Sequence, residues 1–198
     1  MKKISIILIA LVATLGMQSA KAWGGFGHGA IAYVAEQHLT PYAKGEVRRY
    51  LRHTLPFYAS WMDQVRYVDA YHHTARWHSV GVKDDTLMPS DLTGSKAFYG
   101  TKMKNDDYGV AQVERIIKEM KNYKNLPDSV VVVNLKCLIH LVGDLHCPTH
   151  SYVPGPRCFW PCTLNGKEYK AFHGLYDKMP QLIHKGKKDN DIAAELDV

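Results

Sequence analysis

The sequence has no apolar run of the ~20 residues that a membrane-spanning helix needs. Its long apolar stretch, Ile4 to Met17, follows Lys2 and Lys3 and closes on Ala20-Lys21-Ala22. A basic start, a short apolar core and small residues at a cut site make residues 1–22 a secretory signal peptide. The mature chain is therefore expected to begin at Trp23 and to have no membrane anchor. No cysteine follows the apolar run, which argues against a lipid-modified terminus and leaves a periplasmic or secreted protein as the expectation.

Charge of one sign is also scarce. The full sequence carries 25 basic and 19 acidic side chains, a formal charge of +6. Removing residues 1–22 takes away Lys2, Lys3 and Lys21 and no acid, leaving +3. That balance tolerates an anionic substrate but is far from the basic stripe of a dedicated nucleic-acid binder. Cysteines are few: Cys137, Cys147, Cys158 and Cys162. They form no paired C-x2-C units, so structural disulfides or buried thiols are favoured over a zinc–thiolate cluster in an exported chain. Sequence does not choose among the three possible pairings. Internal repeats and low-complexity segments are absent, and residues 23–198 suit one domain with a single core.

Apolar residues recur at three- and four-residue steps over His28–Leu39 and Pro41–Leu51, which predicts two helices, the second with Thr40 as N-cap and Pro41 as first residue. A short helix fits Tyr58–Arg66, and Tyr67–Leu92 reads as an irregular stretch rich in His, Asp and Gly. Tyr108–Tyr123 is amphipathic. Asp128–Leu145 is strongly apolar and must be largely buried, with Asp128 as its expected cap and Pro148 beyond its end. Asn165-Gly166 between short alternating segments signals a hairpin, and His173–Leu182 returns to a helical pattern. The expectation is a mainly helical domain with one small β-hairpin.

The chemistry lies in histidines set at helical spacing from carboxylates. His140 and Asp144 are four apart on the most apolar helix, so both project from one face and can grip one ion. His173 and Asp177 repeat the arrangement, and His150 follows just beyond Pro148. A single pair of this kind is more often a solvated surface contact. Inside Cys137-Leu138-Ile139-His140-Leu141-Val142-Gly143-Asp144, however, an uncompensated charge is costly to bury, and a metal removes that cost. Gly143 leaves room for close approach of a backbone or an ion, or serves packing alone.

These residues carry a resemblance. The segments Trp23-Gly24-Gly25-Phe26-Gly27-His28, Ala59-Ser60-Trp61-Met62-Asp63-Gln64-Val65-Arg66, Trp77-His78, His140 to His150 and His173-Gly174-Leu175-Tyr176-Asp177 stand in the order found in the S1/P1 nuclease family. That family is zinc-dependent and akin to bacterial phospholipase C. The resemblance implies the helical phospholipase C/P1 nuclease fold and three zinc ions. One would be held by Asp63, His78, His140 and Asp144, and a second by His150, His173 and Asp177. The third would be held by His28, bridging Asp144 and the amine and carbonyl of Trp23. Imidazole and carboxylate are ordinary ligands of catalytic zinc. The implied catalytic residues are Asp63, Asp144 and Arg66, the last at the position of the family's phosphate-contacting arginine. The implied reaction is cleavage of single-stranded DNA or RNA to 5′-phosphorylated products, with 3′-nucleotides as further substrates, by a monomer. His146 is expected to be a hydrogen-bonded core or supporting residue, His38, His53, His72, His73 and His184 surface or loop residues, and Trp61 and Trp77 packing around the ligands.

The sequence departs from the family in three places. Ser79 stands where relatives can carry a base-stacking aromatic, so base selection does not transfer; Tyr67, Tyr71 and Phe159 are candidates for a stacking surface, although an aromatic is more often core than platform. Residues 151–170 lack the expected Gly-Gly-Asn element. Family members commonly continue with further helices, whereas this sequence stops twenty-one residues past Asp177 in a charged, weakly periodic tail, with the cavity wall expected to suffer. Two rival readings stay open: a phospholipase C, against which the His-x3-Asp ending at Asp177 speaks, and a non-catalytic exported zinc-binding protein.

Overall fold

A computed structural model describes residues 23–78, 80–81, 109–152, 161–169 and 172–197. The expected signal peptide, Ser79, Cys158, Phe159 and residues 82–92 of the stretch read as irregular lie outside the described residues. Within them the chain is mainly helical with one small antiparallel hairpin, as the patterning implies.

The central element is helix α6, Asp128–Leu145, and its apolar character on two sides has a simple cause. One side, through Val132, Leu135 and Ile139, packs on Ala32, Leu51, Leu55 and Ala59. Another buries Cys137 and Leu141 with Met62 and Ile116, joined by Trp61 and Trp77. Helices α1 (Gly25–Gln37), α2 (Pro41–Leu51), α3 (Leu55–Tyr58) and α4 (Trp61–Val65) supply the first cluster and begin the second. α2 starts as expected: Pro41 is its first residue and Thr40 Oγ1 accepts from Ala43 N–H at 3.2 Å. α6 does not. Asp128 is its first helical residue rather than its cap, and Pro127, which has no side chain able to accept, occupies the cap position.

An eight-residue 3₁₀ helix, Asp69–Arg76, follows α4 and delivers the chain to His78. α5 (Gly109–Met120) lies against α6, pinned where Asn134 Nδ2 donates to Glu119 Oε2 at 3.1 Å and Arg115 pairs with the same oxygen at 2.9 Å. A two-residue parallel pairing, β1 (Val80–Gly81) with β2 (Ser151–Tyr152), was not signalled by any periodicity. β3 (Cys162–Leu164) and β4 (Lys167–Tyr169) form the expected hairpin, with Asn165 and Gly166 both at positive φ (51° and 74°) as a two-residue primed turn requires.

The helical pattern after His173 divides into α7 (Phe172–Tyr176) and α8 (Met179–Ile183). The charged tail, weakly periodic in sequence, holds a further helix. Residues Asp189–Leu196 form α9, which lies on α1 with Ile192 and Ala193 buried. A Cβ on Gly29 of α1 would stand 2.4 Å from Asp189 Oδ2, so glycine is what lets the two helices approach this closely. Lys188 N–H donates to Asp191 Oδ2 at 2.9 Å, and His38 Nε2 meets Asp197 Oδ1 at 2.6 Å.

Candidate metal centre

Four imidazoles converge on Asp144. It ends the buried face of α6, 1% exposed, and its two oxygens point different ways. Asp144 Oδ2 lies 3.2 Å from His140 Nε2 and 3.0 Å from His78 Nδ1, while Oδ1 is 3.4 Å from both His28 Nε2 and His150 Nδ1. His28 comes from α1, and its ring stacks on that of His140 with centroids 4.2 Å apart. Gly143 makes this possible, because a Cβ there would stand 2.5 Å from His28 Nδ1. Asp63 from α4 enters beside His78, with 3.9 Å between its Oδ1 and His78 Nδ1.

Ring orientation is fixed from outside the cluster. His140 Nδ1–H donates to the Ala59 carbonyl at 2.7 Å, which leaves Nε2 as the lone pair facing Asp144 and His78. His150 Nδ1–H donates to the His78 carbonyl, turning its Nε2 toward His173 Nε2, 2.8 Å away. The β1–β2 pairing begins two residues after His78 and directly after His150, so it sets these two segments side by side. α6 ends at Leu145, and Cys147 N–H to Asp144 O (2.9 Å) and His150 N–H to Cys147 O (2.9 Å) fold the chain back to carry His150 inward. His173 Nε2 is 3.5 Å from Asp177 Oδ1, and Gly24 N–H donates to Asp177 O at 2.7 Å, tying the start of the described chain to this end of the cluster.

The donor set fits a metal. Buried atoms without a hydrogen-bond partner converge here: both ring nitrogens of His28, both oxygens of Asp63, His78 Nε2, Asp144 Oδ1 and Asp177 Oδ2. Each such orphan costs free energy unless something binds it. Three triads hold ligand atoms within 4.8 Å of one another: His28/His140/Asp144, Asp63/His78/His140 and Cys147/His150/Asp177. Mixed imidazole and carboxylate donors suit zinc better than magnesium or calcium.

The electrostatics agree. Burial alone would raise Asp144, but the imidazoles of His140, His28 and His78 hold its carboxyl well below the usual range. Burial would lower His140, yet Asp144 and Asp63 outweigh it and raise the imidazole. His28 and His150 are lowered, chiefly by burial. Asp177 is pushed up to about 8 by burial and by the carboxylates of Asp144 and Asp63, and burial with His150 brings His173 down to about 4. Lys178 and Arg66 pull Asp177 down but are outweighed, and His173 stays neutral at pH 7, the form that ligates.

All eight side chains of the expected metal set are therefore gathered in one buried cluster. Trp23 adjoins it: its ring lies 5.7 Å from that of Tyr176 and against Gly27, and its backbone hydrogen-bonds the Cys147 sulfur. Arg66 stands at the edge, Nη1 3.4 Å from Asp63 Oδ1 and its guanidinium 5.0 Å over the Tyr67 ring. Tyr67 is exposed, whereas Tyr71 packs edge-on against Trp61 and is not a free stacking surface. His146 is hydrogen-bonded to Val142 O at 2.7 Å but exposed, so of the two roles expected for it the core one is excluded. His38, His53, His72 and His73 are exposed and His184 half-buried. Cys137, Cys147 and Cys162 are free thiols, the first two buried.

A family model described as S1/P1 Nuclease matches residues 23–196. The chain belongs to the S1/P1 nuclease family. Among curated relatives, Nuclease S1 of Aspergillus oryzae (strain ATCC 42149 / RIB 40) is 26% identical over 149 residues, 70% of this chain and 48% of the relative. Nuclease P1 of Penicillium citrinum is 24% identical over 133 residues, 65% of this chain and 47% of the relative. The chain spans about half the length of the curated relatives it matches. Sequence reasoning passed over one member of the cluster, Cys147. The signal was Cys147-Pro148-Thr149-His150, a C-x2-H spacing of the kind zinc sites use.

Proposed function

We propose that this S1/P1 family member is an exported zinc-dependent phosphodiesterase that cleaves single-stranded DNA and RNA to 5′-phosphorylated products and takes 3′-nucleotides as further substrates. The observation that carries it is the convergence of three buried carboxylates and five imidazoles, with orphaned polar atoms facing inward, at the positions of the family's ligands. Asp63, His78, His140 and Asp144 would hold one zinc, and His150, His173 and Asp177 a second. His28, Asp144 and the Trp23 amine and carbonyl would hold a third. When bound, the ions supply a water acidic enough to be hydroxide near neutral pH and charge for the leaving oxygen.

The protein's own part is positional. Asp144 divides its oxygens between the His140/His78 side and the His28 side, so one carboxylate can bridge two ions. Ala59 and His78 carbonyls hold two imidazoles in the ligating tautomer. Arg66, at the edge of the cluster and partly accessible, presents a guanidinium fork to a phosphate, steadied between Asp63 and Tyr67. Exposed Tyr67 beside it offers a face on which any base can stack.

The test is to assay processed protein starting at Trp23, after zinc analysis, on single-stranded DNA, RNA, 3′-nucleotides and phosphatidylcholine vesicles, with and without chelator. Chelator-sensitive cleavage of the nucleic acids leaving 5′-phosphates is expected. Hydrolysis of the lipid with intact nucleic acid would transfer the reading to a phospholipase C, and bound zinc with no turnover to a non-catalytic protein.

A further inference from the structure

Cys147 is fully buried, 0% exposed, at the turn after α6. Its Sγ lies 4.0 Å from Asp177 Oδ1, and it shares a triad with His150 and Asp177 in which all ligand atoms are within 4.8 Å. His173 Nε2 is 2.8 Å from His150 Nε2 and 3.5 Å from Asp177 Oδ1. Asp177 is 4% exposed, and its Oδ2 has no partner. Cys147, His150 and Asp177 thus face one point, and His173 joins it through its contacts with His150 and Asp177. We propose that the Cys147 thiolate is a fourth protein ligand of the ion held by His150, His173 and Asp177.

The inference rests on the zinc reading above but goes beyond the family's ligand set. Tetrahedral zinc with bonds of about 2.0–2.3 Å keeps its ligand atoms about 3.4–3.6 Å apart. The separations here, 2.8, 3.5 and 4.0 Å, bracket that value. The sulfur also has outer partners of the sort that orient a ligand. Thr149 Oγ1, 3.1 Å away, can donate its O–H to a thiolate, and the Trp23 backbone bonds the same atom. Cys137, the other buried thiol, instead packs among Met62, Ile116 and Leu141. On metal binding the S–H bond breaks, its proton passes to solvent and a sulfur–metal bond forms, with no change of oxidation state.

X-ray absorption at the zinc edge of the processed, zinc-loaded chain should show a sulfur shell at about 2.3 Å. The cobalt-substituted chain should show a sulfur-to-cobalt charge-transfer band in the near ultraviolet. That band should survive in the triple variant Cys137→Ser/Cys158→Ser/Cys162→Ser, which keeps Cys147 as its single cysteine, and vanish in Cys147→Ser. A shell of nitrogen and oxygen alone, or loss of the band in the triple variant with its fold intact by circular dichroism, overturns the proposal. If Cys147→Ser does not fold, the absorption edge of the unaltered chain decides. Nucleic-acid cleavage with an all-nitrogen-and-oxygen shell removes the thiolate and keeps the nuclease; a sulfur shell without cleavage does the reverse.

Discussion

The two ends of the metal cluster are built differently. The Asp144 end hangs on α6 and α1, with His28, His140 and Asp144 each no more than 1% exposed and locked between two core clusters. There the carboxylate is surrounded by imidazoles and stays ionised without help. The Asp177 end hangs on the five-residue α7, with Asp177 raised to about 8 and the His173 side chain 18% exposed. There burial and the neighbouring carboxylates outweigh the pull of Lys178 and Arg66 on its carboxyl. A preformed end and an end completed by its ligand stand within one cluster, so loss of a residue at one should not resemble loss at the other.

The largest expected effect is at the shared carboxylate. Asp144→Asn should remove more than one zinc and lower kcat/KM on single-stranded DNA by on the order of 10³-fold or more, because several kcal/mol of charge stabilisation go with the ions. Asp177→Asn should cost one zinc and about 10²-fold by the same argument. Equal metal loss in the two variants, measured by inductively coupled plasma analysis, would erase the distinction between the ends. Arg66→Ala should keep its zinc and lose about 10²-fold in kcat/KM, the scale for removing one charge-stabilising donor. An alanine placed ahead of Trp23 should lose about one zinc and most activity, since an amide nitrogen cannot donate as an amine does. Unchanged metal and rate would remove the terminus from the site.

How much of this was legible follows from the same contrast. The Asp144 end could be read directly, because His140 and Asp144 are four apart on a helix whose apolar sequence announces burial. Thr40-Pro41 and Asn165-Gly166 likewise encode their turns locally. The β1–β2 pairing joins residues about seventy apart through two-residue strands, too short for periodicity to register. Asp128 looked like a cap because capping residues and first-turn acids share the same chemistry. α9 was obscured by its charged lead-in, Lys185 to Asp191, although Ile192 and Ala193 supply the apolar contact with α1. Cys147 was read by compartment rather than by neighbours, and its distance from Asp177 exists only in three dimensions.

Packing gives a smaller effect at the preformed end. Gly143→Ala places a methyl 2.5 Å from His28 Nδ1, so the buried imidazole stacked on His140 has to shift. The expected cost is about 1–3 kcal/mol in chemical denaturation, the range for overpacking a filled core. The His28 zinc should be lost while the Asp177 end keeps its own. Loss of every ion together would show that the two ends assemble as one unit.

The smallest effect concerns the metal-free protein. Asp177 has its folded pKa raised to about 8 from 3.8, so between those values the folded chain binds more protons than the unfolded one, and stability falls as pH rises. His173, lowered to about 4 from 6.5, works the other way, raising stability with pH over that lower range. The two oppose each other up to about 6.5, and above it Asp177 acts alone. Metal-free protein should therefore lose on the order of 1–2 kcal/mol between pH 6.5 and 8, read as a falling Tm. Zinc-loaded protein should not follow that fall, because the ion supplies the positive charge that the proton otherwise replaces. Asp177→Asn should flatten the metal-free curve in the same window. A metal-free wild-type curve already flat there would mean that the Asp177 end is as well balanced as the Asp144 end, and the contrast between them would fail.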